Sequence, residues 1–131
     1  MTSTKAELTH SDWQESKSCE AEGHGLASMH CRYHYTGPVD GESTFEGAIC
    51  YLGNTGGYTG YELFTGSIEG HRGTCVLRSV GGFAPDAVSA ELEVVPESGT
   101  GELTGLRGGG RMHFPMDAKQ GTIELDWTLE A

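Results

Sequence analysis

The sequence predicts an all-β fold, an antiparallel closed barrel of about eight strands, and three observations carry that prediction. Glycine supplies 21 of the 131 residues, more than twice its usual share, while only 4 prolines and a normal aromatic complement argue against a collagen or a disordered tract. Apolar and polar residues alternate over short runs, and the glycines fall between these runs, where tight turns are needed. Nowhere do apolar residues recur at i, i+3, i+4 and i+7 over the dozen residues that a helix requires. Strands recurring at hairpin spacing form an antiparallel sheet that closes into a barrel or folds into a sandwich.

The elements follow in order. Lys5 to Trp13 alternates, with Ala6 and Leu8 on one face. Gln14 to Gly25 is polar on both parities, carries Glu15, Glu20, Glu22 and His24, and reads as a loop. Leu26 to Thr36 is the clearest strand. Met29, Cys31, Tyr33 and Tyr35 share the face expected to be buried, and Ser28, His30, Arg32, His34 and Thr36 share the other. Gly37-Pro38-Val39-Asp40-Gly41 is a turn cluster, since proline presets φ and glycine accepts positive φ. Ser43 to Leu52 is the third strand, and Gly53 to Gly57 a hairpin loop. Tyr58 to Ile68 places Tyr58, Gly60, Glu62, Phe64 and Gly66 on one face. After the turn at Glu69 to Gly73 come Thr74 to Val80, and then Val88 to Val95 with Val88, Ala90, Leu92 and Val94 on one side. Gly108-Gly109-Gly110 precedes a short strand, Arg111 to Phe114. Thr122 to Leu129 closes the series with Ile123, Leu125, Trp127 and Leu129 facing one way.

Residues 1–131 make one domain's length of chain, with no linker or repeat, and at this size a core needs no metal or disulfide staple. Eight Lys and Arg against 19 Asp and Glu give a net charge of −11. Nucleic acid and anionic membrane surfaces are therefore disfavoured as partners. No apolar run approaches the ~20 residues of a spanning helix. Met1 to Glu7 lacks the apolar centre of a signal peptide, so a cytoplasmic location is expected. Cys19, Cys31, Cys50 and Cys75 show no C-x-x-C spacing and are expected to be reduced, mostly buried thiols.

Val94 to Gly108 reads V-V-P-E-S-G-T-G-E-L-T-G-L-R-G. This run resembles the signature of a bacterial family, domain of unknown function 3224, whose members adopt the allene-oxide-cyclase-like barrel. Its shorter core is also similar to a segment of plant allene oxide cyclases and dirigent proteins. Supporting stretches are Gly60-Tyr61-Glu62, Leu63 to Ser67, Gly73 to Leu77 and Leu125-Asp126-Trp127, so the resemblance spans about Lys5 to Leu129. The chain departs from the family at Tyr33, where a lysine is usual, and at Arg78-Ser79, where Gln-His is usual. The glycine-rich run lacks the Lys-Ser/Thr of a phosphate loop and its strand-to-helix setting, so it reads as a tight corner. Arg107 is expected to bond a carboxylate or backbone carbonyls there.

In a closed barrel the Met29 face points into the lumen, and Glu62 shares that lumen with Tyr58 and Phe64. A carboxyl group among aromatic rings has its pKa pushed up, which suits a general acid or base and equally a paired structural group. The resemblance implies a cofactor-independent cyclase or isomerase acting on a small apolar molecule. In that reading Glu62 and Tyr33 move the proton, and Tyr35, Arg78, Tyr58, Phe64, Cys31 and Met29 contact the substrate. The alternative is a binding or carrier barrel without chemistry, and either needs a lumen of at least ~300 Å³. Arg78 shares a face with Val76 and Val80; inward it would pair with Glu62 or a ligand carboxylate, outward it is a solvated surface residue. His30 and His34 lie on one strand face, but residues two apart on a strand are ~7 Å apart and four apart about twice that, so one strand does not chelate a metal with them. A third ligand would have to come from His71 or His113, and no metal or cofactor is expected. Apolar outward positions, together with the oligomers of allene oxide cyclases, make a homo-oligomer an expectation.

Overall fold

A computed structural model describes residues 1–130. Its strands are β1 (Thr2–Ala21), β2 (His24–Thr36), β3 (Val39–Leu52), β4 (Thr55–Ile68), β5 (His71–Phe83), β6 (Ala87–Val94), β7 (Leu106–Pro115) and β8 (Gln120–Leu129). Each pairs antiparallel with the next, and β8 pairs back onto β1 from Thr2↔Trp127 to Thr9↔Gln120, so the sheet closes as a barrel. The single helical turn among the described residues is Gly101–Leu103. No helix among the described residues is long and apolar enough to cross a membrane.

Alternation decides what lies inside. Met29, Cys31, Tyr33 and Tyr35 of β2 meet Phe45 and Ile49 of β3, Phe64 and Ile68 of β4, Cys75 and Leu77 of β5, and the inward rows of β6 to β8 in one continuous core. The intervening residues of these strands face outward, as period-two geometry requires.

Two elements differ from the sequence reading. The polar stretch expected to be a loop, Gln14 to Gly25, is mostly strand: β1 runs on to Ala21 and pairs with β2 as far as Ala21↔His24. This half of β1 has left β8 behind at Thr9↔Gln120 and covers no closed core, so nothing selects apolar residues on either face. A break in register between Ser11 and Gln14, with Asp12 at φ 54°, marks where it peels away. The last glycine run, expected to precede β7, lies inside it. A Cβ on Gly110 would come within 1.8 Å of the Glu124 carbonyl oxygen, so β7 and β8 approach there only because a side chain is missing.

The signature run forms the corner between β6 and β7 and seals one end of the barrel. Val95 and Thr100 donate their backbone N–H groups to Val76 and Thr74 carbonyls at 2.9 Å each, and Glu130 N–H reaches the Gly105 carbonyl at 2.9 Å. A Cβ on Gly99 would sit 1.9 Å from the Leu103 carbonyl oxygen, which is why the corner is glycine-rich. Leu103 itself is fully buried in the core. At this end the Trp127 indole donates to Thr4 Oγ1 at 2.9 Å, and the Thr4 hydroxyl donates to Glu69 at 2.9 Å.

Candidate functional site

Along β4 the inward side chains run from the open end to the sealed end as Tyr58, Glu62, Phe64 and Ile68, with glycines between them. Glu62 stands at mid-barrel opposite Phe45 on β3 and Leu77 on β5, with no exposure to solvent. The Tyr35 hydroxyl and the Ser43 hydroxyl, the latter at 2.7 Å, both donate to its Oε1. Its Oε2 has no partner. The buried polar side chains among the described residues are Thr4, Ser43, Glu62 and Ser79, so the barrel buries no cation beside it.

Burial pushes the Glu62 carboxyl above its ordinary pKa, and the bonds from Tyr35 and Ser43 oppose that shift without cancelling it. Burial also raises the phenols of Tyr35 and Tyr33 well above their ordinary range, with the Glu62 charge adding to both. The thiols of Cys31 and Cys75 are pushed up to about 11 and about 12 by burial, which leaves them protonated and unreactive at neutral pH. The interior is thus a small polar centre wrapped in aromatic and aliphatic side chains, in which burial favours the protonated form of Glu62.

Toward the opposite end the barrel is not filled. A cavity of about 460 Å³ opens where β1 leaves β8. Its wall takes Met29 and Tyr33 from β2, Ile49 and Tyr51 from β3, and Tyr58 from β4. Phe83 and Val88 flank the β5–β6 turn, Met112 and Phe114 come from β7, and the β7–β8 turn from Pro115 to Lys119 closes one side. His10 and Trp13, beside the β1 register break, complete the ring. The aromatic side chains brace one another: Tyr51 and Phe83 are 5.4 Å apart in an edge contact, and Tyr33 lies 6.3 Å from Phe114 at an interplanar angle of 27°. The Tyr51 hydroxyl donates to the Glu15 carboxylate at the rim.

The residues singled out from sequence separate into three places. Met29, Tyr33 and Tyr58 line the cavity. Glu62, Tyr35, Phe64 and Cys31 are inside the barrel but belong to the packed layer below it and do not line it. Tyr33 joins the two layers, since its ring is also 6.3 Å from that of Tyr35. Arg78 is on the outside, paired in register with Tyr61 and Glu93 on the exposed face, because Leu77 and Ser79 take the inward parity of β5. The inward alternative for Arg78 therefore falls, and with it any ion pair to Glu62. His30 and His34 face outward against Glu46 and Glu42. Arg107 Nε is 2.9 Å from a Glu130 carboxylate oxygen.

Sequence reasoning did not single out His10, Trp13, Tyr51, Phe83 or Phe114 as site residues. Tyr51 and Phe83 share the inward parity of Ile49 and Leu77: Tyr51 already lies within the third strand read from sequence, and carrying the fifth strand's alternation past Val80 reaches Phe83. No periodicity marks Trp13, because the register break shifts it out of phase.

The comparisons with known proteins agree with this architecture. No curated protein matches the chain. A crystal structure of a protein of unknown function from Shewanella oneidensis MR-1, described as a DUF3224 family member, superposes with a TM-score of 0.74 at 26% identity, covering 99% of this chain and 100% of that one. The family model for proteins of unknown function DUF3224 matches residues 4–127, nearly the whole barrel from β1 to β8. The chain belongs to the DUF3224 family.

Proposed function

We propose that this barrel binds a small, largely apolar molecule in the cavity at its open end. The observation that carries the reading is an unfilled volume of about 460 Å³ lined almost wholly by aromatic, methionine and aliphatic side chains, in a chain whose other end is tightly sealed. A cavity of that size suits one small ligand, and a handful of polar groups in its wall would orient it. Tyr33 is the polar group best placed for this. Its phenol is held neutral by burial, so it serves as a hydrogen-bond donor to a carbonyl or ether oxygen.

The cyclase or isomerase alternative draws on one feature, the buried Glu62 carboxyl with its raised pKa and a free Oε2 behind Tyr35. A general acid must come within about 3 Å of the atom it protonates. Glu62 is screened from the cavity by its own packed layer, so the geometry favours binding over turnover. In a catalytic version Tyr33 would be the group touching substrate, with Glu62 and Tyr35 fixing its position.

The test uses the full chain and Nile red, a neutral dye whose emission rises and shifts to the blue in an apolar site. Saturable one-to-one binding is expected. Val88→Trp, which adds bulk at the half-buried rim, is expected to weaken it at least 10-fold while leaving the β-sheet circular dichroism and the melting temperature close to those of the parent. Dye binding that is unsaturable, or unchanged in Val88→Trp and in a second filling variant, Ile49→Phe, would overturn the reading.

A further inference from the structure

From the composition of the cavity wall and the charges around its rim, we infer that the preferred ligand is a lipophilic cation, a quaternary or bulky tertiary ammonium attached to an apolar body. The inference rests on the binding reading above and specifies its ligand. Three observations converge on it. Trp13, Tyr33, Tyr51, Tyr58, Phe83 and Phe114 bring six aromatic rings to one small cavity, and the negative face of an aromatic ring attracts a cation within about 6 Å of its centre. The Tyr51 hydroxyl donates to the Glu15 carboxylate, which drives electron density into that ring and strengthens its pull on a positive charge.

The charged groups placed at the mouth lean to the negative. Asp117 lines the cavity, and Glu15 stands at the Tyr51 hydroxyl. Against these two carboxylates the lining holds one lysine, Lys119. Lys17, farther along β1, is held by Glu20 at 2.8 Å. The whole chain adds a net charge of −11, which concentrates cations at its surface and repels carboxylate or phosphate ligands. A quaternary ammonium is weakly hydrated, so moving it against aromatic faces forfeits less solvation than moving a primary amine would.

Competition against bound Nile red tests the proposal with three probes of one shape: (2-naphthylmethyl)trimethylammonium, its neutral carbon isostere 2-neopentylnaphthalene, and 2-naphthylacetate. The cation is expected to compete about 10-fold or more better than the neutral isostere, with the carboxylate weakest. Its advantage should shrink as salt rises from 0.05 to 0.5 M. Glu15→Gln, which leaves the lining in place and removes the carboxylate beside Tyr51, is expected to lower the cation's affinity several-fold while moving the neutral probe's less than 2-fold. Equal competition by the cation and the neutral isostere, or tighter competition by the carboxylate, would overturn the cation preference and leave the binding reading standing. Nile red that binds but is displaced by none of the three would overturn the preference as well, and failure of Nile red to bind at all would remove both.

Discussion

Glu62→Ala is expected to lower the stability of the barrel by roughly 3–5 kcal/mol, the largest effect of any single change in the interior layer. The loss has two parts. Truncation leaves a void among Phe45, Phe64 and Leu77 that the closed sheet has little freedom to collapse, and it strands the buried Tyr35 and Ser43 hydroxyls without their acceptor. The second part is separable. Glu62→Leu made together with Tyr35→Phe and Ser43→Ala removes acceptor and donors at once, and replacing both sides of a buried polar contact by apolar groups is close to neutral. Urea unfolding of the single, double and triple variants measures the coupling. A loss under about 1 kcal/mol for Glu62→Ala would mean that the carboxyl is not the packed, bonded group described here.

Stability should also depend on pH in a direction set by Glu62. Its pKa is raised in the folded barrel, so the folded state holds a proton that the unfolded chain releases near pH 4.5. Below that pH the group favours folding in full. Above it the contribution declines as pH rises toward the folded pKa, by at most about 1.4 kcal/mol per pH unit, and then levels. Glu62→Gln cannot titrate, and it shares every other group with the parent. The parent's stability minus that of Glu62→Gln should therefore fall as pH is raised above 4.5. A difference that stays constant, or grows, over that range would show that the carboxyl is charged in the folded state.

Much of this was legible in the chain. The Leu26 to Thr36 alternation fixes the inward face of β2, and the register of β3 and β4 then follows from Phe45 and Phe64, because a slip of one residue would expose every apolar side chain. Glu62 is recognisable as lumenal from parity alone. Parity could not assign Arg78, since Val76 and Val80 beside it are apolar residues on the outer face, and an outward valine looks like an inward one on a strand. Nor does alternation reveal depth. Nothing in the order Tyr58, Glu62, Phe64 says that the cavity ends at Tyr58, because that depends on where β1 departs from β8 and on how Tyr33 and Phe114 stack across the lumen. The strand from Gln14 to Ala21 was hidden for a related reason: with no core beneath it, it carries no apolar pattern.

The central claim, an open cavity above a sealed and packed layer, is tested most directly by methyl NMR on the four methionines. Met29, Met112 and Met116 line the cavity, whereas Met1 is 86% exposed and lies outside it. With [¹³C-methyl]methionine protein, titration with Nile red or the naphthyl cation is expected to move the three cavity methyl signals together along one saturation curve and to leave Met1 in place. Movement of Met1 alone, or of none of the four at ligand concentrations that saturate the dye signal, would place the ligand outside the cavity and contradict the account.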